Sequence, residues 1–333
     1  MARVFSGIQP SGELHIGNYL GAVRNWVALQ DRYECLICIV DYHAITQAYE
    51  PELLAQRTFD MAVSLLAAGI DPERTTLFVQ SHVPEHTELS WVCTTVTPVG
   101  ELERMTQFKD KSQRQESVLA GILNYPVLQA ADVLLYRADI VPVGEDQVQH
   151  LELMREIARK WNARFGEGFF PEPQPMLSQA RRILGLDGEA KMSKSLGNTI
   201  ALLDSPERIW ELLRPAKTDP ARVTRKDPGD PEKCNVYSLH QYFSPPATVR
   251  EVAANCRGAA WGCLDCKRVL ADNIAAEFAP IRARAAELKA QPERVAEILA
   301  DGAARARVIA RATMAAVRTA MGLMPSQGDR VRP

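Results

Sequence analysis

The sequence has almost no net charge, no long apolar run and no internal repeat, and each absence excludes a class of protein. Its 39 Lys and Arg against 41 Asp and Glu give a formal charge of −2, so the overall charge does not indicate a nucleic-acid partner. No apolar run is long enough to span a bilayer and no signal-peptide pattern opens the chain. We therefore expect a cytoplasmic protein without a membrane partner. Low-complexity segments are missing too, which excludes a disordered chain.

The sequence does contain enough apolar material for a large and a smaller domain. With 333 residues, 46% of them hydrophobic, the chain exceeds one ordinary core. Short runs rich in Val, Ile and Phe lie at 3–8, 35–40, 76–80 and 140–143. Because long helical patterns separate them, they predict an α/β fold with a parallel sheet covered on both faces. After Leu203 the strand signals end, and Ser205-Pro206 is typical of a helix start, so the second half is predicted to be helical.

A glycine-rich turn near the start is the first of two motifs suited to phosphate chemistry. It reads Gly-Ile-Gln-Pro-Ser-Gly at 7–12 and is followed by His15 and by Gly17-Asn18. Glycine at a strand end lets a ligand approach the backbone, and the N–H groups at a helix start favour phosphate. His15 can donate a hydrogen bond to a phosphoryl oxygen. An ordinary tight turn explains this motif equally well.

The second motif is Ala-Lys-Met-Ser-Lys-Ser at 190–195. Two ammonium groups three residues apart, among small hydroxyl side chains, can stabilise the charge that grows on a leaving pyrophosphate. A solvated basic loop is the alternative, and the presence of the first motif makes it the weaker one. Together the two motifs predict ATP activation.

Four further segments complete a resemblance to the class I aminoacyl-tRNA synthetases, specifically the bacterial tryptophanyl-tRNA synthetases. These segments are Val-Asp-Tyr-His-Ala-Ile-Thr at 40–46, Gly-Glu-Leu-Glu-Arg-Met-Thr-Gln-Phe-Lys-Asp-Lys-Ser at 100–112, Tyr-Pro-Val-Leu-Gln-Ala-Ala-Asp at 125–132 and Val-Pro-Val-Gly-Glu-Asp-Gln at 141–147. The similarity is strong up to the lysine loop and weaker after it. The motifs are highly specific in combination.

The resemblance implies an ATP-dependent tryptophan–tRNA ligase with a Rossmann-like catalytic domain. The carboxylate of L-tryptophan attacks the α-phosphate of ATP, pyrophosphate leaves with Mg²⁺, and the tryptophanyl group passes to the 3′-terminal adenosine of tRNA(Trp). Such an in-line displacement needs positioning and charge neutralisation, so no Ser or Cys nucleophile is assigned. The family also implies a homodimer. A tyrosyl enzyme and a non-catalytic RNA-binding or redox-sensing relative are the alternatives.

The resemblance also implies that the nucleotide lies between the two motifs. The residues expected around ATP are Gln9, Pro10, Ser11, Gly17, Asn18, Gly144, Glu145, Asp146, Ile183, Lys191, Met192, Ser193, Lys194 and Ser195. The residues expected to act on the phosphates are His15, Lys111, Lys191 and Lys194. Asn18 stands where the wider class often has a second histidine, so more of the positive charge must come from the lysines.

Asp132 is the residue predicted to select tryptophan. It shares one helical face with Tyr125, Gln129 and Tyr136. An indole N–H only donates, and a ring without that donor would leave a buried carboxylate unpaired at a cost of about 1–3 kcal/mol. The resemblance adds the remaining contacts, which are Phe5, Gly7, Val40, His43, Val141 and Val143 as the indole wall, Tyr125 and Gln147 at the α-amino end, and Gln129, which replaces a methionine of many relatives.

Four of the seven cysteines form a spaced set in the helical half, at Cys234, Cys256, Cys263 and Cys266. From the spacing alone, a 4Fe-4S cluster, a structural zinc and unrelated thiols all remain open. The resemblance favours the cluster, because a subset of bacterial tryptophanyl enzymes carries one in the anticodon-binding domain with very similar cysteine spacing. Zinc is the alternative. The cluster would shape the anticodon-loop site rather than transfer electrons.

The division expected for the chain follows from these assignments. Residues 1–185 form the catalytic domain, 186–290 the helical anticodon-binding domain, 291–323 helices that pack back on the catalytic domain, and 324–333 a frayed tail. From residue 281 onward ten basic residues stand against five acidic ones. By charge alone, a solvated helical face and an RNA-facing surface explain this excess equally well.

Overall fold

Five short strands form one parallel sheet in the computed structural model, which describes residues 1–112, 117–144, 147–177, 183–193 and 196–324, with the backbone alone for 110–112. They are β1 Arg3–Ile8, β2 Glu34–Ile39, β3 Thr75–Val79, β4 Ile140–Val143 and β5 Gln174–Leu177. The first four match the apolar runs. The sequence patterns missed β5, because this edge strand is short, largely exposed and contains Pro175.

The strand order β3-β2-β1-β4-β5 places the ligand crevice. The chain builds outward from β1 to β3 and then crosses to the other side of β1 at β4. In open α/β sheets a ligand binds beyond the carboxyl ends of the strands where the order reverses in this way. The segments that follow β1 and β4 are those that contain Gln9 and Gly144, both expected at the nucleotide.

Helices cover the sheet and make up the second half of the described chain. In the first half they are α1 Ile16–Asn18, α2 Arg24–Leu29, α3 Asp41–Ala44, α4 Pro51–Ala67, α5 Glu85–Thr94, α6 Val99–Glu103, α7 Thr106–Ser112, α8 Ala120–Leu134 and α9 Val148–Phe165. In the second half they are α10 Pro206–Leu213, α11 Asn235–Phe243, α12 Pro246–Arg257, α13 Cys263–Lys289 and α14 Pro292–Ala320. As predicted, Ser205 caps α10 by accepting a hydrogen bond from the Arg208 N–H at 3.2 Å.

Two apolar cores lie on opposite faces of the sheet because side chains alternate along each strand. On β2, Leu36 and Cys38 face one core with Tyr136 and Trp161, while Ile37 and Ile39 face the other. The second core continues into the helical half. The parallel sheet and the helical half therefore share apolar packing.

The last helix, α14, packs on the edge strand β3 and on α5. Contact with β3 is closest at Gly302, where an added Cβ would overlap the carbonyl oxygen of Leu77. Six of the ten basic residues counted from 281 onward bond to the first half: Arg284 to Leu66 O, Lys289 to Asp60, Arg305 to Pro72 O, Arg307 and Arg311 to Glu85, and Arg318 to Glu88. For these six residues, the excess of positive charge serves packing within the chain.

None of the helices in the described ranges is both long and apolar enough to cross a bilayer. This agrees with the sequence, in which no apolar run reaches that length.

Candidate active site

The opening turn is shaped by His15, which caps the short helix α1. The Nδ1 atom of His15 accepts a hydrogen bond from the Asn18 N–H at 3.3 Å, and Asn18 Oδ1 accepts one from the His15 N–H at 3.4 Å. A ring nitrogen that accepts carries no proton, so neutral His15 keeps its proton on Nε2. The ring is buried, and Nε2 is therefore the atom with which it can donate to a phosphate.

The lysine loop docks directly on this turn. The Ile16 N–H donates to Ile200 O and the Leu202 N–H donates to Leu14 O, both at 2.9 Å. Met192 is 4% exposed, and a Cβ added to Gly17 would lie 3.3 Å from Met192 Cβ. The two motifs are about 175 residues apart in sequence but in contact in the fold. Holding one triphosphate between them, as the sequence predicts, requires such a contact.

Asn198 fixes the shape of the lysine loop, and the sequence analysis did not assign it a role. This buried side chain accepts a hydrogen bond from the Ser193 N–H at 2.8 Å and donates one to Asp187 Oδ2 at 2.6 Å. Hydrogen bonds from the Glu189 backbone and from Asn198 hold the pKa of Asp187 below its usual value. Lys191, two residues before Ser193, has an exposed side chain.

Asp132 lies at the centre of a buried hydrogen-bond network rather than on a helix surface. It is 2% exposed. Its Oδ1 accepts from Gln80 Nε2 and from His86 Nδ1, both at 2.7 Å, and its Oδ2 is 2.8 Å from His43 Nε2. Burial alone raises the pKa of this carboxyl, but the hydrogen bonds from His43 and His86 outweigh it and hold the pKa well below its usual range. Asp132 is thus an ionised acceptor at neutral pH.

The predicted indole wall gathers on one face of the sheet beside Asp132. Phe5 stacks on Tyr136 with ring centroids 5.5 Å apart, and a Cβ on Gly7 would lie 3.0 Å from Val40 Cγ1. Phe5, Val40, Val141 and Val143 are buried members of the same core. His43 differs from the expectation of a simple wall residue, because its ring is bonded to Asp132.

The residues predicted for the α-amino end also lie together. The Tyr125 hydroxyl is 3.0 Å from His150 Nε2 and donates to Gln107 Oε1 at 3.2 Å, while Gln129 Nε2 donates to Gln147 Oε1 at 3.3 Å. Burial raises the pKa of Tyr125 to about 12, so its hydroxyl stays protonated. The functional interpretation of the sequence missed Gln80, His86 and His150, which carry no motif of their own.

Several predicted nucleotide residues are described and several are not. Gln9, Pro10, Ser11, Gly17 and Asn18 lie in the opening turn, Gly144 follows β4, and Met192 donates its N–H to Ile183 O at 3.2 Å. Glu145, Asp146, Lys194 and Ser195 lie outside the described residues, as does the side chain of Lys111.

The four late cysteines lie at three helix ends, where Cys234 precedes α11, Cys256 closes α12, and Cys263 and Cys266 occupy the first turn of α13. Burial, followed by the charge of the other three cysteines, raises the pKa of the Cys266 thiol to about 12. The four thiols are therefore close enough to interact. Within the described ranges, however, no three or more His, Cys, Asp or Glu side chains are assembled as a metal site.

Comparison with known proteins agrees with this geometry. The family described as tRNA synthetases class I (W and Y) matches residues 1–279. The tryptophan–tRNA ligase of Deinococcus radiodurans is 56% identical over 329 residues, which cover 97% of this chain and 99% of that protein. The chain belongs to the tryptophanyl-tRNA synthetases of class I. The family that the sequence motifs predict is thereby confirmed, and so are the predicted α/β fold and the ligase class.

More distant relatives of this synthetase support the same assignment. The tryptophan–tRNA ligase of Thermotoga maritima is 44% identical, with 97% of this chain and 99% of that protein covered. The crystal structure of tryptophanyl-tRNA synthetase from Campylobacter jejuni, complexed with ADP and tryptophan, has a TM-score of 0.89 and 38% identity. It covers 96% of this chain and 100% of that one.

Proposed function

We propose that in this synthetase the carboxylate of L-tryptophan attacks the α-phosphate of ATP, which gives tryptophanyl-AMP and releases pyrophosphate with Mg²⁺. The enzyme then charges tRNA(Trp) in the cytoplasm. The observation that carries the proposal is the contact between the opening turn and the lysine loop at the carboxyl end of β1, with an ionised Asp132 in the adjoining core. One end of this site suits a triphosphate and the other an aromatic ring with a single N–H donor.

The phosphate end acts through positive charge and N–H groups. Lys191, with Lys111 and Lys194, neutralises the pyrophosphate as it leaves, and His15 donates from Nε2. The nucleotide rests on Gln9, Pro10, Ser11, Gly17 and Asn18, with Gly144, Glu145 and Asp146 at the ribose and Ile183, Met192, Ser193 and Ser195 beside it. Charge stabilisation that grows in the transition state raises the rate rather than the affinity.

The amino-acid end selects the ring and holds the amino group. Asp132 accepts the indole N–H, and Phe5, Gly7, Val40, His43, Val141 and Val143 surround the ring. The α-amino group contacts Tyr125 and Gln147, whose partner Gln129 lies beside them. Support comes from the shared burial of the wall and from the bond between the two glutamines.

Exchange of labelled pyrophosphate into ATP tests the first step. We expect exchange with tryptophan, none with tyrosine, and aminoacylation of tRNA(Trp). The Asp132→Asn variant should lose tryptophan-dependent exchange by about tenfold or more, since a bond to a charged acceptor is worth about 1.5–3 kcal/mol. Exchange that depends on tyrosine would replace this proposal by the tyrosyl alternative.

The synthetase acts as a homodimer. The elements α5 and α6 and the start of α8 leave large apolar side chains exposed, with Trp91 72%, Val99 59% and Leu119 61% exposed. Large apolar side chains left exposed in this way are typical of interfaces when they form one patch. Light scattering should give twice the chain mass of 37.0 kDa, and Trp91→Lys should shift the protein toward the monomer.

The four late cysteines hold a 4Fe-4S cluster, with structural zinc as the alternative. The chemistry of the donor set fits, because four thiolates are what such a cluster requires, and these four thiols interact at the ends of three helices. Cys234, Cys256, Cys263 and Cys266 would hold the cluster, and the thiolate bonds would tie α11, α12 and α13 together. Such a cross-link would brace the proposed anticodon-binding domain, whose bounds are those expected from the sequence.

Metal and sulfide content after anaerobic purification decides between the alternatives. A cluster gives a brown protein with broad visible absorption and equal iron and sulfide. A colourless protein with stoichiometric zinc would establish the alternative. Cys263→Ser should abolish the absorption, whereas Cys93→Ser, a buried cysteine in the first half, should keep it.

A further inference from the structure

A buried pair, His86 and Tyr136, stands directly behind Asp132. The Tyr136 hydroxyl is 2.8 Å from His86 Nε2, and His86 Nδ1 is 2.7 Å from Asp132 Oδ1. Both side chains are fully buried. They come from different elements, since His86 is on α5 and Tyr136 follows α8, and neither belongs to the expected set of substrate contacts.

The chemistry of the groups fixes the direction of every hydrogen bond in this network. An ionised carboxylate only accepts, so His86 Nδ1 and His43 Nε2 both carry protons. With its proton on Nδ1, His86 has Nε2 as an acceptor, and the Tyr136 hydroxyl donates to it. Burial, followed by the nearby Asp132 carboxylate, raises the pKa of Tyr136 well above its usual value and keeps this donor protonated.

Among the residues that the structure describes, the donors leave Asp132 with one acceptor position. A carboxylate has about four lone-pair positions. Gln80 and His86 occupy both positions on Oδ1, and His43 occupies one on Oδ2. The remaining position is on Oδ2, next to the ring of His43. A carboxylate held at three positions cannot turn to satisfy the fourth elsewhere.

We propose that His86 and Tyr136 are positioning residues for ring selection: they hold Asp132 so that its last acceptor position is satisfied by an indole N–H. This inference rests on the proposed contact between Asp132 and the indole. A ring without the N–H leaves a fixed buried acceptor unpaired, and that penalty is what rejects it. If His86 no longer holds Oδ1, the carboxylate can rotate or take up water, and the penalty falls.

The test compares tryptophan with 3-benzothienylalanine, in which sulfur replaces the indole N–H. The measured quantity is the ratio of kcat/KM for the two amino acids in pyrophosphate exchange. Tyr136→Phe is the decisive variant, because the phenyl ring retains the stacking on Phe5 at 5.5 Å and the edge contact with Phe78 at 5.6 Å. We expect the ratio to fall about tenfold, because 3-benzothienylalanine meets a smaller penalty and is used better relative to tryptophan, with the KM for ATP unchanged.

His86→Leu should lower the ratio as much as Tyr136→Phe. His86→Asn should restore part of it, since a short amide can place an N–H where Nδ1 stood. Tyr242→Phe, a tyrosine on α11, removes a hydroxyl beside the core on the opposite face of the sheet from Tyr136 and serves as the control with the native ratio.

The outcomes separate this inference from the function on which it rests. If Asp132→Asn leaves the ratio unchanged, the contact between Asp132 and the indole is wrong. If Asp132→Asn lowers the ratio but Tyr136→Phe keeps the native value, the positioning role is wrong. Equal loss with both amino acids in Tyr136→Phe would indicate a packing role alone and would also overturn the inference.

Discussion

Replacing Asn198 by alanine should slow tryptophan activation without weakening tryptophan binding. The side chain makes three bonds: it accepts from the Ser193 N–H, and it donates to the Asp187 carboxylate and, at 3.5 Å, to Lys191 O. A typical hydrogen bond is worth about 1 kcal/mol, so losing all three releases about 3 kcal/mol of restraint on the lysine loop. If the transition state requires that loop geometry, the rate falls by up to about 100-fold. Asn198 makes no contact with the tryptophan wall, so the KM for tryptophan should stay within about twofold of the native value.

A second variant, at Gly185, tests the same role of the Asn198 side chain without removing that side chain. A Cβ on Gly185 would overlap the Asn198 side chain, so Gly185→Ala should displace the anchor and reproduce the slow phenotype with all polar groups intact. Leu196→Ala, at a 58% exposed position in the same loop, is the control with native rates. Pyrophosphate exchange at saturating ATP measures the rate. A native rate for folded Asn198→Ala would refute the role of this anchor.

Three further predictions concern the lysine, the last helix and a buried glutamate. Lys191→Ala should reduce the rate of adenylate formation, measured by pyrophosphate exchange, by about tenfold or more. Tryptophan affinity, measured by equilibrium binding, should change little. An unchanged rate would show that Lys191 does not act at the phosphates. Gly302→Ala should lower the free energy of unfolding, measured in urea, by about 2 kcal/mol or more, because α14 must move off β3. The control Gly21→Ala, with open space around the added Cβ, should raise the free energy of unfolding by about 0.5–1 kcal/mol. Equal effects of the two variants would contradict the packing of α14. Burial raises the pKa of Glu85, but hydrogen bonds from the Glu85 backbone N–H and from Arg307 outweigh burial, so the folded pKa lies below the usual value. The stabilisation by ionised Glu85 is therefore complete above the unfolded pKa of about 4.3 and is lost as the pH falls through the folded pKa. Glu85→Gln should therefore cost about 1 kcal/mol at neutral pH and nothing in acid, by urea unfolding at both pH values; a cost that persists in acid would exclude the ion pair as its source.

The positions of most strands and of the phosphate motifs follow from local sequence patterns. The runs at 3–8 and 140–143 coincide with β1 and β4, and the Ser205 cap lies where its sequence predicts. These features depend on interactions within a few residues, such as side-chain alternation and a cap bonding three residues ahead. The strand β5 was not predicted, because it is a strand through its pairing with β4 at the sheet edge rather than through its own composition.

The partners within the site are decided by tertiary structure. Asp132 was recognised from its helical face, but Gln80, His86 and His43 reach it across 46 to 89 residues of chain. The C-terminal arginines likewise have partners that the local sequence does not predict. Their positive charge alone is equally compatible with an RNA-facing surface, but in the fold Arg307 pairs with Glu85 and Arg318 with Glu88.

Local patterns in the amino-acid sequence predicted the family, the α/β order of the elements and the two phosphate motifs. The side chains that hold Asp132 in one orientation, and the one that anchors the lysine loop, are recognised in the folded molecule alone. This difference arises because periodicity and motif spacing report local geometry. A hydrogen bond between distant segments depends on the path of the whole chain and on burial, which strengthens each polar contact and makes an unpaired group costly.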